Sequence, residues 1–476
     1  MGQEIHGSRF YKRDFDRYRQ QLILETELLS ELFLHNRFNA GPPMAGFELE
    51  AWIVNAHYRP EPINYQFLNQ LNNPLVSPEL ATFNIEFNLP PEKLCNDALS
   101  KVANGLTQHW QQARISAHSL DAELAMIGIL PTVEDADLVP QNLSSMNRYQ
   151  ALNTEILRLR GGRPLQLDIH GHDILRAEHM HVMLESATTS FQIHLQIPPQ
   201  LALRAYNASI ISSAPLVAVS ANSPYFFGKD LWAETRIPLF EQAVKVGGFE
   251  EGAHGPMRRV SFGTGYARQS VMECFTENLE HFPVLMPSQL DTPVEQLQHL
   301  RLHNGTLWRW NRPLIDFESG IPHLRIEQRV VPAGPTIADA MANAAFYYGL
   351  TYALSNMPKA PESRLPFSVA RDNFYSCARH GMDAHIIWLD GQCYKTRSLL
   401  LNILLPIAET GLEALGISQK DNSFYLGIIK DRVSNGQNGA TWQRDFIAKN
   451  GHDMSQLMAV YLQHQHTGTP VHEWSV

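Results

Sequence analysis

The sequence predicts an α+β protein built on an antiparallel β-sheet whose apolar face is covered by helices. Two observations carry that expectation. Four separate segments alternate apolar and polar residues with period two, the pattern of strands buried on one face. Between and after them, longer segments carry helical patterning, at roughly 12–36, 96–122, 147–160, 337–357, 366–380 and 397–414.

The first strand reads GFELEAWIV. Phe47, Leu49, Ala51 and Ile53 fall on one face, and Glu48, Glu50 and Trp52 on the other. In ATFNIEFNLPP the apolar face is Phe83, Ile85, Phe87 and Leu89, against Thr82, Asn84, Glu86 and Asn88. In SFQIHLQIP it is Phe191, Ile193, Leu195 and Ile197, against Ser190, Gln192, His194 and Gln196. In HLRIEQRVV, Leu324, Ile326, Gln328 and Val330 oppose Arg325, Glu327, Arg329 and Val331. Doubly covered parallel strands do not alternate in this way, so the sheet is antiparallel and its helices lie on the apolar face only. The segment 337–357 is apolar nearly all round, follows Pro335-Thr336 as a helix start, and is expected to be deeply buried.

If the four strands share one sheet, its polar face gathers Glu48, Glu50, Glu86, Glu327, His194, Arg325 and Arg329. Converging carboxylates raise one another's pKa unless a cation sits among them. Oxygen ligands with at most one imidazole select Mg²⁺ or Mn²⁺ over zinc or copper. The arginines add bidentate donors suited to phosphate oxygens, and metal, arginine and phosphate together point to phosphoryl transfer. Taken singly, Glu-x-Glu is also the pattern of a solvated sheet face, and Arg-x-Glu-x-Arg that of a surface salt-bridge ladder. What favours chemistry is that four strands repeat one plan and their polar positions carry few lysines.

Composition narrows the partners. The chain of 476 residues is 44% hydrophobic and 18% charged, which is globular rather than disordered. With 48 acidic against 38 basic residues and no long Lys/Arg run, nucleic acid is not an expected partner. The N-terminal segment is too polar for a signal peptide, and no stretch reads as 18 or so apolar residues, so a cytoplasmic location without a membrane is expected. Cys95, Cys274, Cys377 and Cys393 are scattered without CxxC spacing and read as buried free thiols. No repeat or linker divides residues 1–476, which read as one domain with residues 1–40 as an N-terminal helical extension.

GFELEAWIV, NIEFNLPPEKL, NRYQAL (147–152), SFQIHLQIP, ANSPYFFGKDLWAETR (221–236), HLRIEQRVVPAGPTIADAM, DNFYSCARHGMDA (372–384) and GQNGATWQRDF (436–446) together resemble the glutamate–cysteine ligase family. That family is of the carboxylate–amine ligase type and related in fold to glutamine synthetase. The resemblance spans roughly residues 44–445 and implies a curved antiparallel sheet with the active site on its polar concave face. It further implies ATP and Mg²⁺ (or Mn²⁺) under covering loops, activation of a carboxylate as acyl phosphate, and attack by an amine. Carried over by position, Glu48 and Glu50 match first-strand metal ligands, Glu86 the second-strand carboxylate, and Glu327 a carboxylate near metal and nucleotide phosphates. Arg329 matches a phosphate-touching arginine, and Arg325 would join it in stabilising the transferred group. His194 stands where relatives carry a histidine or another polar side chain, in a metal or nucleotide role. Arg236 is where an anchor for the substrate carboxylate or the phosphate is expected.

Two segments depart from the resemblance. QLDIHGHD followed by EHMHVMLES places His170, His172, His179 and His181 at i, i+2 spacing, which also fits a zinc hydrolase. The segment 247–269 holds a Gly-Thr-Gly turn and basic residues, a candidate loop over the site. Beside the ligase stand a non-catalytic relative that binds nucleotide or an amino acid, and a phosphagen-kinase-like enzyme that forms no amide. Partners are small carboxylate and amine substrates; homo-oligomerisation and the substrate pair are left open, because substrate pockets lie in loops.

Overall fold

The computed structural model describes residues 4–246 and 258–476. Among them, seven strands form one antiparallel sheet: β1 (Met44–Val54), β2 (Val76–Pro78), β3 (Asn84–Lys93), β4 (Glu123–Ala125), β5 (Phe191–Gln196), β6 (Asn311–Glu318) and β7 (Ile321–Gln328). The order across it is β6-β7-β5-β1-β3-β2, with β4 paired to the far end of β1. The four alternating segments are therefore adjacent, as β7-β5-β1-β3. The sheet curls, and its β1–β3 register shifts between Ala45 and Phe47.

Register brings the apolar faces together. Leu49 pairs with Phe87 on one side and Phe191 on the other, and Ile326 pairs with Leu195. This face packs against two helices, Pro199–Ser220 and Ile337–Ser355, both buried along most of their length. Tyr348 links helix to sheet, with its ring 5.9 Å from that of Phe47 and its hydroxyl donating to the His194 carbonyl at 2.9 Å. Gln328, the polar residue on the apolar face, is satisfied: its amide donates to Asn311 Oδ1 and Ser213 Oγ, and its oxygen accepts from the Val330 N–H. The Thr336 hydroxyl caps Ile337–Ser355 by accepting from the Asp339 N–H.

The other expected helices form as Lys12–Leu34, Ala98–His118, Asn147–Leu159, Phe367–His380 and a run over Thr396–Leu415. That last run is long and apolar enough to cross a membrane by length and composition, which the sequence reading did not anticipate. Part of it, Leu405–Leu415, packs on Ile337–Ser355 where Gly349 meets Gly411 and Ala408. A Cβ at Gly411 would run into the Gly349 carbonyl, and one at Gly349 into the Ala408 carbonyl. The clash is with backbone, so Gly411→Ala is expected to cost about 1–3 kcal/mol or more of stability, read as a lowered urea midpoint.

Two expectations are corrected here. Helices do not lie on the apolar face only: Asn147–Leu159, Met272–His281 and Gln298–Gly305 contribute side chains over the polar face and roof it. The N-terminal helix packs on that roof: Tyr18 donates to the His299 carbonyl and buried Glu25 accepts from the Leu300 N–H. Of the four free cysteines, Cys274 and Cys377 are buried, Cys95 is half-buried and Cys393 is exposed.

Candidate active site

Because side chains alternate along each strand, register decides which polar groups meet. Glu50 pairs with Glu86 across β1–β3, Glu48 with Gln192 across β1–β5, and His194 with Glu327 across β5–β7. Gly46 lies opposite His194, and a Cβ there would come within 3.3 Å of the histidine Cβ. Glu48, Glu86, His194 and Glu327 are buried, while Glu50, Arg325 and Arg329 are half-buried. Under the roof lies a cavity of about 220 Å³, lined by seven carboxylates (Glu48, Glu50, Glu79, Glu86, Glu185, Asp316, Glu327) and five arginines (Arg148, Arg301, Arg312, Arg325, Arg329). Excess acid under such a roof calls for a cation.

One group at the cavity wall meets the requirements of one. His194 Nε2 lies 3.7 Å from Glu48 Oε1 and 3.6 Å from Glu327 Oε1, and it is buried without a hydrogen-bond partner. Two ligands bound at about 2.1 Å can be no more than about 4.2 Å apart, so these separations suit a shared hard cation. Burial, with Arg325 adding to it against the pull of Glu48, drops His194 to about 4 and leaves the imidazole neutral, the form that ligates metal. Among the described residues this trio is the group of histidine, cysteine and carboxylate side chains close enough to hold an ion.

Toward β3 the surface is more acidic. Glu50 accepts from the Ser190 N–H at 2.7 Å, the Ser190 hydroxyl at 3.0 Å and the Gln192 amide at 2.9 Å. Even so, burial and the charge of Glu79 push it up to about 7. Burial and Glu48 push Glu86 well above the carboxylate range. Tyr149 donates to Glu79, and the Arg148 guanidinium lies 4.5 Å from the Tyr149 ring centre. Burial, then Glu79 and Glu50, push Glu185 up to about 8. A folded-state pKa above the unfolded value means stability falls as pH rises from about 4.5 to 8, at roughly 1.4 kcal/mol per unit from this group. Glu185→Gln is therefore expected to flatten that slope, checked by denaturant midpoints at pH 5 and pH 8.

Toward β6 the charge inverts. Arg312 grips Glu327 through two parallel bonds of 2.9 Å, and Arg329 donates to Glu327 at 3.0 Å and to Gln192. Burial alone would raise Glu327; Arg312 and Arg329 overcome it and hold the carboxylate well below its ordinary range. Arg325 faces the same cavity but pairs with Asp316 at 3.1 Å, which also takes Arg301 at 2.6 Å.

Arg236 is a correction. It is buried beside Glu234 at 3.2 Å, and its Nη2 donates to the Arg329 and Val330 carbonyls at 3.0 and 2.6 Å. It does not line the cavity, because its donors hold the backbone that carries Arg329. The four loop histidines also part company. His170 meets Asp168, His172 meets Asp230 and His179 meets Asp135, each at 2.8–2.9 Å, on a hairpin of Leu165–His170 and Ile174–His179 and the turn beside it. His181 packs edge-on against the His179 ring at 4.9 Å, but among the described residues the four histidines form no ion-binding group, and the zinc-hydrolase alternative is not favoured. Of segment 247–269, residues 247–257 lie outside the described residues, and the described remainder does not line the cavity.

Sequence reading missed Glu79, Arg148, Glu185, Arg312 and Asp316. Glu79 and Glu185 sit in a loop and a short 3-10 turn with no period to follow. Arg312 and Asp316 were findable, since NRPLIDFE alternates and pairs antiparallel with the strand bearing Glu327, although Pro313 weakens its strand signal.

Comparison with known proteins agrees with this architecture. A crystal structure of a glutamate–cysteine ligase from Francisella tularensis in complex with AMP superposes with a TM-score of 0.53 at 11% identity, covering 92% of this chain and 91% of that one. At that identity the likeness is one of fold. A bifunctional glutathione synthetase from Pasteurella multocida gives a TM-score of 0.47 at 12% identity over 94% of this chain and 55% of its own. A Trichormus variabilis protein with the provisional name glutamate–cysteine ligase 2 is 30% identical over 141 residues, 28% of this chain and 33% of the relative's length. The family model of glutamate–cysteine ligase family 2 matches residues 44–468, most of the chain. The protein thus belongs to glutamate–cysteine ligase family 2.

Proposed function

We propose that the protein is an ATP-dependent carboxylate–amine ligase that activates a carboxylate as its acyl phosphate and closes an amide, with glutamate and cysteine as the first pair to test. The observation that carries this reading is that Glu48 and Glu327, which share a buried site with His194, line one roofed cavity with Arg312, Arg325 and Arg329. Family membership supports the same reading.

Mg²⁺ or Mn²⁺ held by Glu48, His194 and Glu327, with Glu50 and Glu86 beside them, would polarise phosphoryl oxygens and offset the carboxylate repulsion. Arg329 and Arg325 supply donors to the oxygens of the transferred group, Arg329 being the better fixed. Neutral His194 leaves Nε2, buried without a hydrogen-bond partner, for the cation. The roof covers the buried Glu48, His194 and Glu327 end of the site and would limit hydrolysis of an acyl phosphate there until an amine attacks. At about 220 Å³ the cavity is below the roughly 300–1,000 Å³ of small-molecule sites, so nucleotide and substrate together require the roof to shift. In this reading residues 1–476 act as one catalytic unit on small cytoplasmic substrates, and the N-terminal helix braces the roof.

The test is to incubate the protein with Mg²⁺, ATP and pooled amino acids while following phosphate release and product mass. Release of ADP and phosphate with a new amide is the expected result. Bound ATP with no turnover across the pool would favour the non-catalytic relative, and phosphoryl transfer without an amide the kinase-like enzyme.

A further inference from the structure

Arg312 lies at 9% side-chain exposure with Glu327 at 1%, so their geometry is set by the fold rather than by solvent. A carboxylate offers about four lone-pair sites, two on each oxygen. On Oε2, Glu327 accepts from Arg312 Nε at 2.9 Å and from Arg329 Nη1 at 3.0 Å. On Oε1 it accepts from Arg312 Nη2 at 2.9 Å. Three sites are taken, and the one left belongs to Oε1, the atom 3.6 Å from His194 Nε2. The guanidinium is itself held from behind: Arg312 Nη1 reaches the carbonyls of Asn304, Gly305 and Leu307 at 3.3–3.4 Å, at the C-terminal end of the roof helix Gln298–Gly305.

We infer that Arg312 is a positioning residue: braced on the roof helix, it clamps Glu327 so that its one remaining lone pair points at the cation position shared with His194 and Glu48. The inference rests on reading that trio as a divalent-cation site. It also ties roof to site, because two of the three carbonyls bracing Arg312, those of Asn304 and Gly305, belong to the roof helix that on the proposed reading shifts to admit a nucleotide. A purely electrostatic arginine predicts the opposite sign, since removing a positive charge beside a cation site tightens cation binding.

The experiment is Mn²⁺ titration of the full chain without nucleotide, reading free Mn²⁺ by electron paramagnetic resonance, for wild type, Arg312→Lys and Arg312→Met. Lysine keeps the charge but cannot make the two-pronged bond. Both variants are expected to bind Mn²⁺ at least 10-fold more weakly, the scale of about 10–100-fold for losing a group that orients a ligand. Unchanged or tighter binding in folded variants overturns the positioning role while leaving the cation site standing. Loss of circular dichroism in both variants also overturns it, assigning Arg312 to the fold alone. A wild-type chain that takes up no Mn²⁺ at millimolar concentration overturns the cation site and with it the inference.

Discussion

Glu48→Gln is expected to lower turnover about 10³-fold or more while leaving stability unchanged or raised. The two signs have separate causes. On the proposed reading, losing a charged ligand would forfeit several kcal/mol of transition-state stabilisation that a divalent cation would supply, and each 1.36 kcal/mol is a factor of ten. The same change removes one carboxylate from a crowded face, where Glu48 raises the pKa of buried Glu86. A residue retained for stability would lose both together, whereas a functional one exchanges one for the other. Steady-state phosphate release, measured beside a urea melt of the same preparation, decides between them. Activity within threefold of wild type would remove Glu48 from the ligand set. Glu327→Gln is a poorer probe, because it leaves Arg312 and Arg329 buried without their shared counter-ion, a break that costs about 3–5 kcal/mol on its own.

Arg329→Ala is expected to cost about 10²–10³-fold in turnover, the scale for deleting one preorganised donor aimed at developing charge. Its guanidinium is fixed between Glu327 and Gln192, lies over the Phe240 ring at 6.0 Å, and rests on backbone that Arg236 grips. Little reorganisation is left to be done at the moment of reaction. Arg325→Ala is expected to cost far less, about 10-fold, because Arg325 is already paired with half-exposed Asp316 and solvent screens that end of the cavity. Measuring both variants under saturating ATP tests the ranking. Equal losses would mean that the two arginines share the transferred group, and a larger loss at Arg325 would move the phosphate site toward Asp316. Arg236→Met should act through Arg329 as well, since the bonds it loses are to the Arg329 and Val330 carbonyls.

Several helices and most of the polar face were legible without coordinates. Helices with one apolar stripe, such as Asn147–Leu159 and Phe367–His380, declare themselves by period. Pro199–Ser220 does not, because a helix buried all round has no polar face to set a phase, and Pro215 within it reads as a breaker. The hydroxyls and amide that make that segment look like a loop are satisfied inside the core: Ser209 with Tyr347 and Asn311, and Asn207 with Glu362 and the Ala267 backbone. The histidine pairs misled in the opposite direction. Spacing of i, i+2 places two side chains on one face, but His170, His172 and His179 each pair with an aspartate, and His181 meets the His179 ring edge-on rather than through a shared ligand.

The sequence by itself determined which side chains share a face, because the two-residue period of a strand is a local property of the backbone. It thereby set Glu48 and Glu50, Glu86, His194, and Glu327 with Arg325 and Arg329 against the aliphatic face of their strands. Tertiary structure alone decided that those strands are neighbours in the order β7-β5-β1-β3, and that the polar face is roofed rather than open to water. It likewise decided that Arg312 makes a two-pronged bond to Glu327 and that Arg236 donates to the Arg329 and Val330 carbonyls outside the cavity lining. Strand order, covering helices and cross-strand partners depend on residues tens to hundreds of positions apart, and no local period reports on them.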